Sequence, residues 1–145
     1  MANEARITSG LDIMKGTNPV QVDYSARPAS FAADVAGAKG PVPGAIDATV
    51  AGVSVDFSEL TTPALCRIMN LDATNYVEVG IWDPENAKFF PLMELLPGES
   101  YVIRLARNLQ EEYQTGTGTT GANTNRLRIK ANTTVVPVLI EAFEV

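Results

Sequence analysis

The sequence predicts an all-β chain, built as an antiparallel sandwich or barrel. Three observations carry this reading. Apolar residues recur at every second position along several separate stretches. Turn-forming clusters such as GTNP, KGPVPG, DATN, DPEN, LPGE and ANTT separate those stretches at short intervals. Nine prolines and eleven glycines resist long helices.

Taken in order, VQVDYS places Val20, Val22 and Tyr24 on one face of a first strand. Residues 26–48 are rich in Ala, Gly and Pro and offer little to pack, so they read as an extended arm or long connection. VSVDFS alternates Val53, Val55 and Phe57 with Ser54, Asp56 and Ser58. ALCRIM forms the next strand and holds Cys66, the single cysteine, which reads as a buried thiol. In YVEVGIW, Val77, Val79 and Ile81 share a face, and in SYVIRLA so do Tyr101, Ile103 and Leu105. Residues 105–113 have room for a helical turn or two. Residues 114–125, QTGTGTTGANTN, have only Ala122 to bury and read as a mobile loop. RLRIK turns Leu127 and Ile129 inward and the stripe Arg126, Arg128 and Lys130 outward.

The last strand, TVVPVLIEAFEV, is apolar on both faces, with Val136, Val138, Ile140 and Ala142 on one and Val135, Pro137, Leu139 and Phe143 on the other. One face fills the core. The other needs cover from elsewhere in the chain or from another subunit. Pro137 has no N–H to donate, which predicts an edge strand or a bulge.

The chain has 145 residues, enough for one domain with its own core. Residues 1–48 are expected to hold N-terminal strands and an arm, and residues 49–145 the sandwich. The formal net charge of −6 argues against a nucleic-acid partner, whose phosphates select for Lys and Arg. MANEARITSG has charges and no apolar run, so no signal peptide is expected. Apolar stretches such as VVPVLI fall far short of the ~20 residues that span a bilayer, so no membrane partner is expected.

Catalytic chemistry is thin. The absence of histidine removes Ser-His-Asp and Cys-His arrangements and imidazole metal sites. TGTGTTG lacks the lysine and the strand-to-helix setting of a phosphate loop. Glu111 and Glu112 read as a solvated face, and Asp83 and Glu85 as parts of a turn, with calcium as the alternative, for which DPEN offers too few of the about six to eight oxygens required. No enzyme, cofactor or metal is expected. NLDATN is the most polar connection. Asn70, Asp72, Thr74 and Asn75 suit a turn in which Asn and Asp side chains bond nearby backbone, with a metal or sugar ligand set as the alternative. Tyr76 and Trp82, on one strand face, are the candidates for a carbohydrate-binding surface.

Three segments carry more than their chemistry: LCRIMNLDATNYVEVGI, FFPLMELLPGESYVIRLAR and RLRIKANTTVVPVLIEAFEV. Together they resemble a family of small tailed-phage virion proteins, the capsid decoration or cement proteins and related head and tail components. The matching residues are Asn70, Leu71, Asp72, Thr74, Asn75, Tyr76, Val77 and Gly80, then Leu96, Pro97, Gly98, Glu99 and Arg104, then Lys130, Ala131 and Asn132. The resemblance covers residues 53–145 and rests on structural turns, with Pro97 and Gly98 among them. It implies a jelly-roll-like β-sandwich with an N-terminal arm. It also implies a protein assembled in a host cytoplasm onto the capsid surface, trimeric, with the major capsid protein as partner. A tail or baseplate component is the alternative. Arg126, Arg128, Lys130, Leu139 and Phe143 are the expected partner contacts.

Overall fold

The computed structural model describes residues 4–8, 30–34, 40–61, 63–83, 86–106 and 127–144. The chain divides into two units, Met1–Gly37 and Ala38–Val145. In the first, β1 (Glu4–Thr8) pairs antiparallel with β2 (Ser30–Asp34), with Ile7 opposite Phe31.

The second unit holds β3 (Val42–Ala48), β4 (Val53–Ser54), β5 (Pro63–Asn70), β6 (Val77–Asp83), β7 (Lys88–Leu95), β8 (Ser100–Arg104), β9 (Leu127–Ala131) and β10 (Val136–Glu144). They form two four-stranded antiparallel sheets, ordered β3-β10-β5-β8 and β4-β9-β6-β7. No helix occurs among the described residues.

Period-two patterning builds this core as expected. Val77 and Val79 of β6, Leu127 and Ile129 of β9, and Val136, Val138, Ile140 and Ala142 of β10 are buried, as are Val55 and Phe57 just after β4. They belong to one apolar cluster that draws on both sheets. Burying each of the larger aliphatic side chains stabilises the fold by about 1.5–3 kcal/mol, before the opposing chain entropy is counted.

Two expectations need correction. Residues 42–48 are not part of an arm. They form β3, whose Val42 and Ala48 are buried and which pairs with β10 from Ala48↔Val136 to Val42↔Ala142. Pro43 and Gly44 of VPGAIDA hide its alternation. β10 is not an edge strand, because it lies between β3 and β5. Pro137 stands opposite Asp47 in the β3 ladder, but its carbonyl accepts from Leu71 on the β5 side, so its nitrogen faces that side, where the ladder begins only at Val138↔Asn70. The only irregularity in β10 is far from Pro137, between Phe143 and Glu144. Tyr101 keeps the face of Ile103, standing opposite the buried Ile68, yet it is exposed near the start of the edge strand β8, whereas Leu105 is buried and Ile103 packs against the cluster. The VQVDYS strand, the helical turns after Ala106 and the 114–125 loop lie outside the described residues.

β7 carries a bulge. Val79 stands opposite Met93 and Gly80 opposite Pro91, so Leu92 is extra. Gly80 permits this, because a Cβ there would collide with the Phe90 carbonyl.

Candidate interaction surface

The connections β3–β4, β5–β6, β7–β8 and β9–β10 meet at one rim of the second unit, and hydrogen bonds tie them to one another. Asn70, the last residue of β5, is the only buried polar residue described. Its Nδ2 donates to the carbonyls of Asn75 at 2.8 Å and of Leu95 and Leu96 at 3.2 Å each. Its Oδ1 accepts the Asp72 N–H at 2.9 Å, closing an Asx turn. Its own N–H reaches the Glu99 carbonyl at 2.9 Å. One amide thus fastens the β5–β6 loop to the end of β7 and to the turn before β8.

Asp72 orders the next part of the loop. Its Oδ1 accepts the N–H of Asn75 at 2.6 Å and of Thr74 at 2.7 Å. These two backbone bonds, Asn75 first, hold its carboxyl below the usual Asp range. Asn75 then continues outward, its Oδ1 accepting the Thr133 hydroxyl at 2.8 Å from the β9–β10 turn. That turn also meets the loop through the Asn132 N–H on the Tyr76 carbonyl, at 3.3 Å. The Leu71 N–H donates to the Pro137 carbonyl, and the Ala131 N–H to that of Thr49.

The β7–β8 connection is a tight turn with the residues it requires. The Glu99 N–H returns to the Leu96 carbonyl at 3.0 Å, Pro97 takes the first central position, and Gly98 the second with φ +75°. Those are the requirements of a type II turn. The Glu99 carboxylate accepts the Leu96 N–H at 2.8 Å. Asn70, Asp72, Thr74, Asn75, Pro97 and Gly98, singled out in separate motifs, therefore belong to one bonded rim. The Oδ1 atoms of Asn70, Asp72 and Asn75 each accept from backbone or side-chain donors of the fold, the work of a turn. Among the described residues no three His, Cys, Asp or Glu side chains lie close enough to share a metal ion.

Sequence reasoning overlooked what this rim presents to solvent. Each connection exposes one large aliphatic side chain: Val50 at 45%, Leu71 at 45%, Leu96 at 49% and Val135 at 51%. The legible signal was an aliphatic residue at or beside each polar turn, Val50 in TVAG, Leu71 in NLDATN, Leu96 before PGE and Val135 after NTT.

The expected partner contacts are not brought together. Arg128 and Lys130 lie on the outer face of β9, and Leu139 and Phe143 on the outer face of β10, in the other sheet. Arg126 lies outside the described residues. The Arg128 guanidinium stands 4.0 Å from the Trp82 ring centroid and donates to the carbonyls of Ala51 at 3.0 Å and Gly52 at 3.2 Å. It is thereby committed to bracing the β3–β4 turn. It also covers one face of Trp82, and Tyr76 stands six residues away along the strand direction, about 20 Å, too far to share one sugar ring. Lys130 pairs in register with Glu78. Leu139 is half-buried between Ala45 and Met69, and one residue-pair further on Arg67 meets Glu141 at 2.6 Å. β7 adds two exposed apolar side chains at its bulge, Phe90 at 50% and Leu92 at 66%.

Comparison with known protein families, with curated proteins and with solved structures finds no match to this chain.

Proposed function

We propose that the chain is a non-enzymatic structural protein of a tailed-phage virion, a decoration protein that binds the outer shell and reinforces it. The observation that carries this reading is the strand order. With β3 to β10 numbered one to eight, the sheets β3-β10-β5-β8 and β4-β9-β6-β7 run 1-8-3-6 and 2-7-4-5. Two Greek keys wound together would give that order, which supports reading the sandwich as a jelly roll, an architecture used by viral capsid and lectin domains. Fold alone does not choose between those uses. The virion reading is supported by the resemblance of residues 53–145 to phage decoration proteins. The engaged face of Trp82 speaks against the lectin-like use.

On this reading the major capsid protein is the partner, the decoration unit is a trimer, and residues before β3 supply an arm. Leu139 and Phe143 add apolar contact area, and Lys130 with the remaining basic stripe adds charge. Electron microscopy of particles carrying gold-labelled protein tests the location. Label over the shell supports the proposal, label confined to the tail replaces it with a tail or baseplate role, and particles without label refute a virion role.

A further inference from the structure

We infer that the rim formed by the four connections is the docking face, and that it takes an apolar protein surface ringed by Lys and Arg. This rests on the virion reading and names the part of the molecule that reaches the shell. Four turns from different parts of the chain each hold one half-exposed aliphatic residue, Val50, Leu71, Leu96 and Val135. Turn segments ordinarily carry polar residues, so a coincidence of this kind marks a surface meant to be covered.

The rim is also pre-ordered. Asn70 fixes Leu96 through its carbonyl, the Leu71 N–H is held by Pro137, Ala131 is bonded to Thr49 beside Val50, and Thr133 is bonded to Asn75 near Val135. A surface already ordered loses little entropy on binding.

Charge selects the occupant. The connecting residues 49–52, 71–76, 96–99 and 132–135 contain Asp72 and Glu99 and no Lys or Arg. The Arg128 guanidinium reaches the β3–β4 turn but is engaged there by the Ala51 and Gly52 carbonyls and the Trp82 ring, and Lys130 stands opposite Glu78. A second copy presenting the same rim would set carboxylates against carboxylates, and a nucleic acid would do worse. A basic-ringed apolar surface satisfies both the charge and the aliphatic side chains.

The test is co-sedimentation with shells lacking the protein, at rising salt. Three proteins are compared: the full chain, L71S/L96S at the rim, and F90S/L92S at the β7 bulge. All the substituted residues are exposed, and urea melts verify that each variant is folded. The wild type is expected to bind with affinity that falls as salt rises. L71S/L96S should bind at least tenfold more weakly, and F90S/L92S like the wild type. Equal binding by L71S/L96S, or loss confined to F90S/L92S, overturns the rim assignment while leaving the decoration role standing. A wild type that stays in the supernatant overturns both.

Discussion

Asn70→Ala tests whether one side chain holds the rim together. The Asn70 amide has two N–H donors and three carbonyl acceptors within reach, those of Asn75, Leu95 and Leu96, so the two at 3.2 Å share one hydrogen. Its oxygen adds the bond from the Asp72 N–H. Truncation removes about three hydrogen bonds' worth of interaction at a site with no solvent exposure. At about 1 kcal/mol each, the net loss is about 3 kcal/mol, with the upper end set by how poorly water reaches the abandoned carbonyls. Urea denaturation should show a lower midpoint with an unchanged slope, and the melting temperature should fall by roughly 10 °C. Asn70→Asp refines the test. It directs a carboxylate at carbonyl oxygens, which raises its folded pKa above the unfolded value of ~3.9. The resulting penalty is absent below the unfolded pKa, grows as pH rises, and is complete above the folded pKa. An Asn70→Ala protein within about 0.5 kcal/mol of the wild type, or an Asn70→Asp protein whose relative stability ignores pH, would refute the reasoning.

Three further outcomes follow from the same geometry. The lowered pKa of Asp72 makes its contribution to stability present above the ordinary Asp range and lost as pH falls through its folded value; Asp72→Asn should remove that part of the acid sensitivity in urea melts, and chelator should leave the wild-type melt unchanged. Gly80→Ala should cost about 1–3 kcal/mol in a thermal melt, because the added Cβ meets the backbone of Phe90 and Pro91 at the bulge, which no rotamer change relieves. Burial, with a smaller push from Glu141, raises the Cys66 thiol to about 12, so the native protein should resist thiol reagents at pH 8 and react at the rate at which it opens.

The sandwich-building strands were legible where one face is dry and the other wet. β6 and β9 alternate cleanly because each is flanked by strands on both sides and packs one face on the shared core. Tyr101 obeyed the same alternation and still lies exposed, because an edge strand near its end has too little sheet above it to bury a ring. β3 was illegible because its Pro43 and Gly44 mimic a connection, and only pairing with β10, some ninety residues later in the chain, makes it a strand. The interior place of β10 was misread for a related reason. Pro137 rules out a donor, yet which neighbour that donor would face depends on register. At the rim, the Asx turn of Asn70, Asp72 and Asn75 could be read locally, since its bonds span two to five residues. The reach of Asn70 to Leu95 and Leu96, twenty-five and twenty-six residues on, could not. The four exposed aliphatic residues were visible as letters, but only the fold gathers them at one end.

The decoration role meets its most direct test in the heat resistance of particles made without the protein and then supplied with it. A protein that binds the assembled shell and not its dissociated subunits stabilises the assembly by mass action, by about 2.7 kcal/mol per site at a hundredfold excess over Kd. Restored resistance that rises with added protein and saturates is the predicted result. Resistance should not return with Leu139→Asp if the outer face of β10 is also covered on the shell, since a carboxylate would then be buried without a partner. Particles equally robust with and without the protein would contradict the account.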